Sequence, residues 1–258
     1  MGTALLKAWS KKTNNKFIVV DPIQYKTINK IFKKKVEATD SLKKIKNFKL
    51  IDIVIFAIKP QTAPQVLDNI KNIVFNKKTI FISIVAGKKI VFFDNYLHSK
   101  NKFIRVMPNM PAMINQGMSC LFANKHVSNL NKKLINSLFL KIGKTLWLKK
   151  ESDINKVTAI SGSGPGYIFL IIDAFEKAAY QLGLDESSTR KLVHQTFRGS
   201  INLFLDEKKT ALTLANNIAV KGGTTEAGLK IFKNKTILKK TFIKAVKAAY
   251  TRADKLGK

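Results

Sequence analysis

The sequence predicts an α/β protein: a doubly wound parallel sheet in residues 1–149, followed by an all-helical domain in residues 150–258. Three observations carry this. Short apolar runs alternate with longer helical patterns as far as Lys150, the signature of a parallel sheet crossed by helices. Beyond Lys150 every periodic segment is helical. A chain of 258 residues that is 45% apolar can bury a core in one or two domains.

The elements follow in order. Residues 1–9 read as a helix with Ala4, Leu5, Ala8 and Trp9 on one face. Residues 16–20 are a short apolar run, expected as a buried parallel strand and closed by Asp21. A helix is expected over 24–34, a strand over 53–58 ending at Lys59 and Pro60, and a helix over 62–75. A strand over 79–84 ends at Ala86 and Gly87. A helix over 89–97 leads to a strand over 103–107, which ends at Pro108 and Asn109. A strand over 119–123, a helix over 130–142 and a strand over 145–148 complete this half. Open α/β sheets bind ligands at the carboxyl ends of their strands. Asp21, Lys59, Pro60, Ala86, Gly87 and Asn109 are expected there.

In the second half, residues 165–182 form a helix that is apolar nearly all round and stops at Gly183. Such a helix is expected to be buried, and in a small helical domain the burial calls for a second subunit. Asp185 is expected to cap the next helix, and short helices follow over 210–217 and from Thr224. Residues 237–256 are amphipathic, with Leu238, Phe242, Val246, Ala249, Ala253 and Leu256 on one stripe.

Composition narrows the function classes. No apolar run approaches the length of a membrane span, and the first residues given lack a signal peptide's basic start and long apolar core. The single cysteine, Cys120, cannot form an intrachain disulfide, and no Cys/His cluster has metal spacing. A cytoplasmic, metal-free protein is expected. The net charge of +31 is the usual footprint of nucleic-acid binding. The lysines are spread over the chain, however, and only Arg105, Arg190, Arg198 and Arg252 could make bidentate contacts. No specific nucleic-acid partner is expected. His98, His126 and His194 read as surface or packing residues, and Cys120 as a small core residue.

Two small-residue segments stand out. Residues 158–167 read Thr-Ala-Ile-Ser-Gly-Ser-Gly-Pro-Gly-Tyr, and residues 220–228 read Val-Lys-Gly-Gly-Thr-Thr-Glu-Ala-Gly. Both read as turns running into helices. Each can be a plain helix cap, or a place where free backbone N–H groups meet an anion. Together they resemble the signature region of the pyrroline-5-carboxylate reductase family, which reads Ser-Gly-Ser-Gly-Pro-Ala-Tyr and then Ser-Pro-Gly-Gly-Thr-Thr. Gly166 replaces the alanine, and Val220 and Lys221 replace Ser-Pro. The resemblance continues through 56–61 (Phe-Ala-Ile-Lys-Pro-Gln), 83–87 (Ser-Ile-Val-Ala-Gly) and 105–112 (Arg-Val-Met-Pro-Asn-Met-Pro-Ala), where Met110 stands in place of a threonine. Met1 and Gly2 resemble the end of a dinucleotide-binding fingerprint, with Asp21 at the spacing of its ribose-binding acid. The first strand and first two glycines are then expected upstream of Met1.

The resemblance implies a Rossmann-like cofactor domain and a helical substrate and dimerisation domain. It implies hydride transfer from NADPH, with NADH as the alternative, to the C=N carbon of 1-pyrroline-5-carboxylate. The product is L-proline, and the step is the last of proline biosynthesis. Gly2, Asp21, Ala57, Ile58, Lys59, Pro60, Ala86 and Asn109 are the implied cofactor residues. Gly222, Gly223 and Thr224 would offer N–H groups to the substrate carboxylate. Thr225 would hydrogen-bond the ring nitrogen as the catalytic residue, and Ser161 would line the substrate site. Lys221 could pair with the carboxylate where the proline is lost. A homodimer or larger homo-oligomer is implied. Two other readings compete. A β-hydroxyacid-type dehydrogenase would need Lys156 or Lys177 as a catalytic lysine. A degenerate basic protein would bind no cofactor.

Overall fold

The computed structural model describes residues 1–97 and 100–256. His98 lies outside the described residues. The chain folds as two compact units: Met1–Ser163 with the stretch from Ala249 onward, and Gly164–Ala248. The expected boundary at 149/150 falls inside the first unit.

In the first unit, α1 (Gly2–Lys12) leads to β1 (Phe17–Val20), α2 (Tyr25–Phe32) and β2 (Val36–Thr39). Then come β3 (Ile53–Phe56), α3 (Ala63–Ile70), β4 (Ile80–Ser83), α4 (Ile90–Asp94) and β5 (Lys102–Met107). The unit continues through β6 (Gly117–Ala123), α5 (Asn129–Leu140), β7 (Gly143–Trp147) and α6 (Asp153–Val157), which ends in a π-helical turn, Thr158–Gly162.

The α/β class holds, with two departures in the sheet. β1 and β2 form a parallel pair of their own, and the other strands form one sheet in the order β3-β4-β5-β6-β7. No ladder joins β1 to β3, so the strands do not make one continuous sheet. Second, β6 runs antiparallel to β5, with Met107 opposite Cys120. A parallel return needs a crossover of about a dozen residues or more. The short link here is held by Pro108 and Pro111 and by a 3-10 turn, Met110–Ile114, so the chain reverses. β7 is parallel to β6 because α5 supplies the crossover.

Helix α1 serves two cores. Leu5, Ala8 and Trp9 pack with Ile82, Ile104, Leu121, Ile135 and Phe139 on one face of the main sheet. Leu6 joins Ile28, Val36 and Ala38 beneath the β1-β2 pair. Trp9 donates Nε1–H to the Leu138 carbonyl at 2.9 Å and meets Phe139 edge-on at 5.4 Å. The other sheet face is aromatic: Phe56, Phe81, Phe93 and Phe103, with Leu67 and Val85. Full burial of such a side chain is worth about 1.5–3 kcal/mol, so these layers hold the strand ends in place.

The second unit is helical: α7 (Gly164–Gln181), α8 (Glu186–Asp206), α9 (Ala211–Ile218), α10 (Thr224–Lys233) and the first part of α11 (Ile237–Lys255). Asp185 caps α8 by accepting the Ser188 N–H at 3.0 Å, as expected. That bond holds its carboxyl below the ordinary range. Thr210 caps α9 in the same way. In the single chain, α7 buries only Ala179, while Ile168, Phe169, Leu170 and Phe175 are exposed. Among the described residues, the stretch Asp153–Gln181 is long and apolar enough to cross a membrane by length and composition alone. Charged residues within it, Asp153, Lys156, Asp173, Glu176 and Lys177, are why no uninterrupted apolar run of that length is legible.

Candidate active site

The strand ends of the first unit carry the expected cofactor loops. A Cβ on Gly2 would sit 3.2 Å from the Ala57 Cβ, so the start of α1 lies directly against the end of β3. No acidic side chain occupies the first turn of α1, which leaves its dipole free for an anion. Asp21 receives Ile23 and Gln24 N–H on Oδ1 at 2.9 and 2.8 Å, leaving Oδ2 for a ligand. Ala57 is exposed and Ile58 packs on the aromatic core. Lys59 is exposed, and Pro60 opens a 3-10 turn. Ser83 Oγ accepts the Val85 N–H at 3.1 Å and shapes the loop that carries Ala86. Gly87 follows with φ +76, and a Cβ there would meet the Leu256 carbonyl at 2.6 Å. Only glycine satisfies both demands.

Asn109 makes two hydrogen bonds within the protein. Its Oδ1 accepts the Met118 N–H at 2.8 Å, and its Nδ2 donates to the Ser161 carbonyl at 3.0 Å. Both ends of the amide are engaged by the protein itself, and the residue is buried.

The segment 158–163, read as a turn running into a helix, is itself helical, which corrects the sequence reading. It is a π-helical turn closed by Ser163 N–H on the Thr158 carbonyl at 2.9 Å, and α7 follows directly. Thr158 and Ser161 donate their hydroxyls to the Ile154 and Val157 carbonyls at 2.6 and 2.9 Å. Such back-bonding is how a hydroxyl side chain satisfies itself inside a helix, and it often bends the helix. Ser161 therefore presents lone pairs rather than a free donor. Cys120 Sγ lies 3.8 Å from Ser161 Oγ, and burial pushes its thiol pKa up. The thiol is held protonated, as a core residue would be.

The second glycine segment lies in the other unit. Gly222 has φ +76, and Gly223 caps α10 with extended backbone and no side-chain cap. Gly222 N–H donates to Glu226 Oε2 at 2.8 Å, and Gly223 N–H to the Val220 carbonyl at 2.9 Å. The expectation that these two glycines present free N–H groups is corrected. A carboxylate at the third helical position is drawn back to the positive end of the helix and takes one of them. Among the described residues, the N–H groups of Thr224, Thr225 and Glu226 have no partner outside the helix, and no hydrogen bond engages the Thr225 hydroxyl. Glu226 was given no role from sequence, although its place three residues into α10 is a capping-box signal.

A second unforeseen feature is the pair formed by buried Arg105 and partly exposed Glu151. Arg105 Nη1 donates to Glu151 Oε1 at 3.3 Å, and the same oxygen accepts the Ile90 N–H at 2.8 Å. Burial lowers the Arg105 pKa, with Glu151 opposing. Burial, and then the nearby Glu151 charge, raise that of Asp94. The two lysines required by the hydroxyacid reading are exposed and paired locally, Lys156 with Asp153 at 2.7 Å and Lys177 with Asp173 at 2.8 Å. His194 pairs with Glu176 at 2.8 Å on the surface.

Comparison with known proteins agrees with this layout. Residues 151–256 match the family model for pyrroline-5-carboxylate reductase dimerisation. Residues 1–87 match a model described as NADP oxidoreductase, coenzyme F420-dependent. A pyrroline-5-carboxylate reductase of Vibrio alginolyticus is 38% identical over 208 residues, covering 80% of this chain and 76% of the relative. Among solved structures, the Coxiella burnetii reductase superimposes with TM-score 0.87 at 30% identity, covering 100% of this chain and 95% of that one. A Plasmodium falciparum pyrroline carboxylate reductase, solved with NADP bound, gives 0.84 at 29% identity, covering 100% and 96%. A cofactor domain with its helix start packed on Ala57, a helical unit that leaves its apolar face open, and relatives matched over most of their length lead to one conclusion: the chain belongs to the pyrroline-5-carboxylate reductase family.

Proposed function

We propose that this chain reduces 1-pyrroline-5-carboxylate to L-proline, with NADPH as the hydride donor and NADH the weaker alternative. The observation that carries the reading is the start of α10, where free N–H groups of Thr224 and Thr225 adjoin the unengaged Thr225 hydroxyl. An N–H cluster at a helix start suits a small carboxylate, and the hydroxyl suits a ring nitrogen.

The nicotinamide cofactor, when bound, supplies the hydride. Gly2, Ala57 and Pro60 would hold it at the strand ends, and the close packing of Gly2 on Ala57 fits the last glycine of a dinucleotide fingerprint. Asp21 Oδ2 would take a ribose hydroxyl. A protonated imine is already a strong electrophile, so the chain needs no nucleophile. Its residues orient the substrate and place charge. Thr224 and Thr225 N–H groups bind the carboxylate, Thr225 Oγ holds the ring nitrogen, and Lys221 adds positive charge nearby in sequence. The open apolar side chains of α7 are assigned to a homodimer, and the protein to the cytoplasm.

The test is cofactor oxidation by the purified chain with pyrroline-5-carboxylate, run in parallel with NADPH and NADH. Substrate-dependent oxidation that is faster with NADPH is expected. Oxidation that ignores the substrate would refute the assignment.

A further inference from the structure

The π-helical turn Thr158–Gly162 sits beside the carboxyl end of β5: a Cβ built on Gly162 would lie 3.9 Å from Met107 Cγ. That end of an α/β sheet is where ligands bind. Turns of this kind are rare and are found frequently at functional sites. The residue four beyond Ser161 is Pro165, which has no N–H to give, and the Ser161 carbonyl receives a donor from far away in sequence, the Asn109 amide at 3.0 Å.

Asn109 is placed for this task. It stands at the start of the 3-10 turn Met110–Ile114, where an asparagine ordinarily caps its own turn, yet its side chain makes no capping bond. Instead Oδ1 accepts the Met118 N–H at the start of β6, and Nδ2 reaches across to Ser161. The amide is 9% exposed, so each bond is made away from water. Four residues earlier on the same motif, Arg105 holds Glu151, the other end of the segment that carries the turn.

We propose that Asn109 is a positioning residue of the reductase. It fixes the Ser161 turn over the strand ends and does not itself hold the cofactor. The proposal rests on the reductase reading above, and its test separates the two.

Asn109→Asp keeps the acceptor for Met118 N–H but sets a carboxylate against the Ser161 carbonyl. Asn109→Ala removes both bonds. With Asn109→Asp, a misplaced turn is expected to lower kcat by roughly ten- to a hundredfold. The dissociation constant for NADPH, read by fluorescence titration, stays within about twofold, since no contact to the cofactor is lost. Amide hydrogen exchange across 158–163 becomes faster in both variants; the rest of the first unit is unchanged in Asn109→Asp, and in Asn109→Ala the Met118 amide, which loses its acceptor, exchanges faster as well. A weaker NADPH affinity with unchanged kcat overturns the proposal and makes Asn109 a cofactor ligand. Unchanged exchange across 158–163 overturns it as well. If the wild-type chain turns nothing over, the reductase reading fails, and the exchange and affinity measurements still judge the clamp.

Discussion

Removing the Glu151 carboxylate tests the buried pair that ties the start of α6 to the sheet. Arg105 is 2% exposed, and its Nε and Nη2 have no hydrogen-bond partner. Its charge therefore depends on Glu151. Glu151→Ala leaves a buried guanidinium without an anion, a loss of roughly 3–5 kcal/mol in general. The present pair belongs at the lower end. Its 3.3 Å contact is long for a charge-assisted bond, and the carboxylate is 24% exposed, so water can replace part of it. The Ile90 N–H also loses its acceptor. A cost of about 3 kcal/mol is expected for Glu151→Ala. Glu151→Gln keeps an acceptor oxygen for both donors but not the anion, and should cost about 2 kcal/mol. The double variant Arg105→Met with Glu151→Gln removes the stranded charge and should recover to within about 1 kcal/mol of the wild type. Urea unfolding at one fixed protein concentration measures all three, since the stability of any oligomer depends on concentration. If Glu151→Ala shifts stability by less than about 0.5 kcal/mol, or the double variant is as unstable as Glu151→Ala, the pair is not holding this segment.

Two further outcomes follow from named contacts. Gly87→Ala puts a Cβ in a left-handed residue and against the Leu256 carbonyl, so the melting temperature should fall by about 4–8 °C, and an unchanged melt would show that the end of α11 does not bear on that loop. Thr225→Val removes the hydroxyl assigned to the ring nitrogen and should lower kcat/KM roughly a hundredfold, with Thr225→Ser near the wild type; equal losses in both would move the role to another donor.

Much of this fold was legible because its strands are apolar runs with clear punctuation. Phe17–Val20 ends at Asp21, Ile53–Phe56 runs to Lys59 and Pro60, and Ile80–Ser83 to Gly87. β2 was missed. Val36–Thr39 is a four-residue strand with Glu37 inside it and a lysine run before it, and its burial comes from pairing with β1. The reversal of β6 was not legible either, since periodicity carries no strand direction. The sheet break between β1 and β3 depends on which strands meet, which no local pattern encodes.

The site divides in the same way. Residue types at strand ends and the start of α10 were readable from motif and punctuation. What those residues touch was not. Ser, Gly and Thr over 158–163 look like a turn by propensity, and the hydroxyl bonds to Ile154 and Val157 that satisfy them in place exist only once the helix does. The Asn109 amide spends itself on Met118 and Ser161, the latter 52 residues away. The apolar surface of α7 was expected to be buried, and within one chain it is open.

The account turns on one reaction, and its product is the most direct evidence. The purified chain should be incubated with pyrroline-5-carboxylate and NADPH, and the L-proline formed should be compared with the NADPH oxidised. The account predicts L-proline in equal amount to oxidised NADPH, and none when either reactant is withheld. A folded protein that binds NADPH yet forms no proline would contradict it.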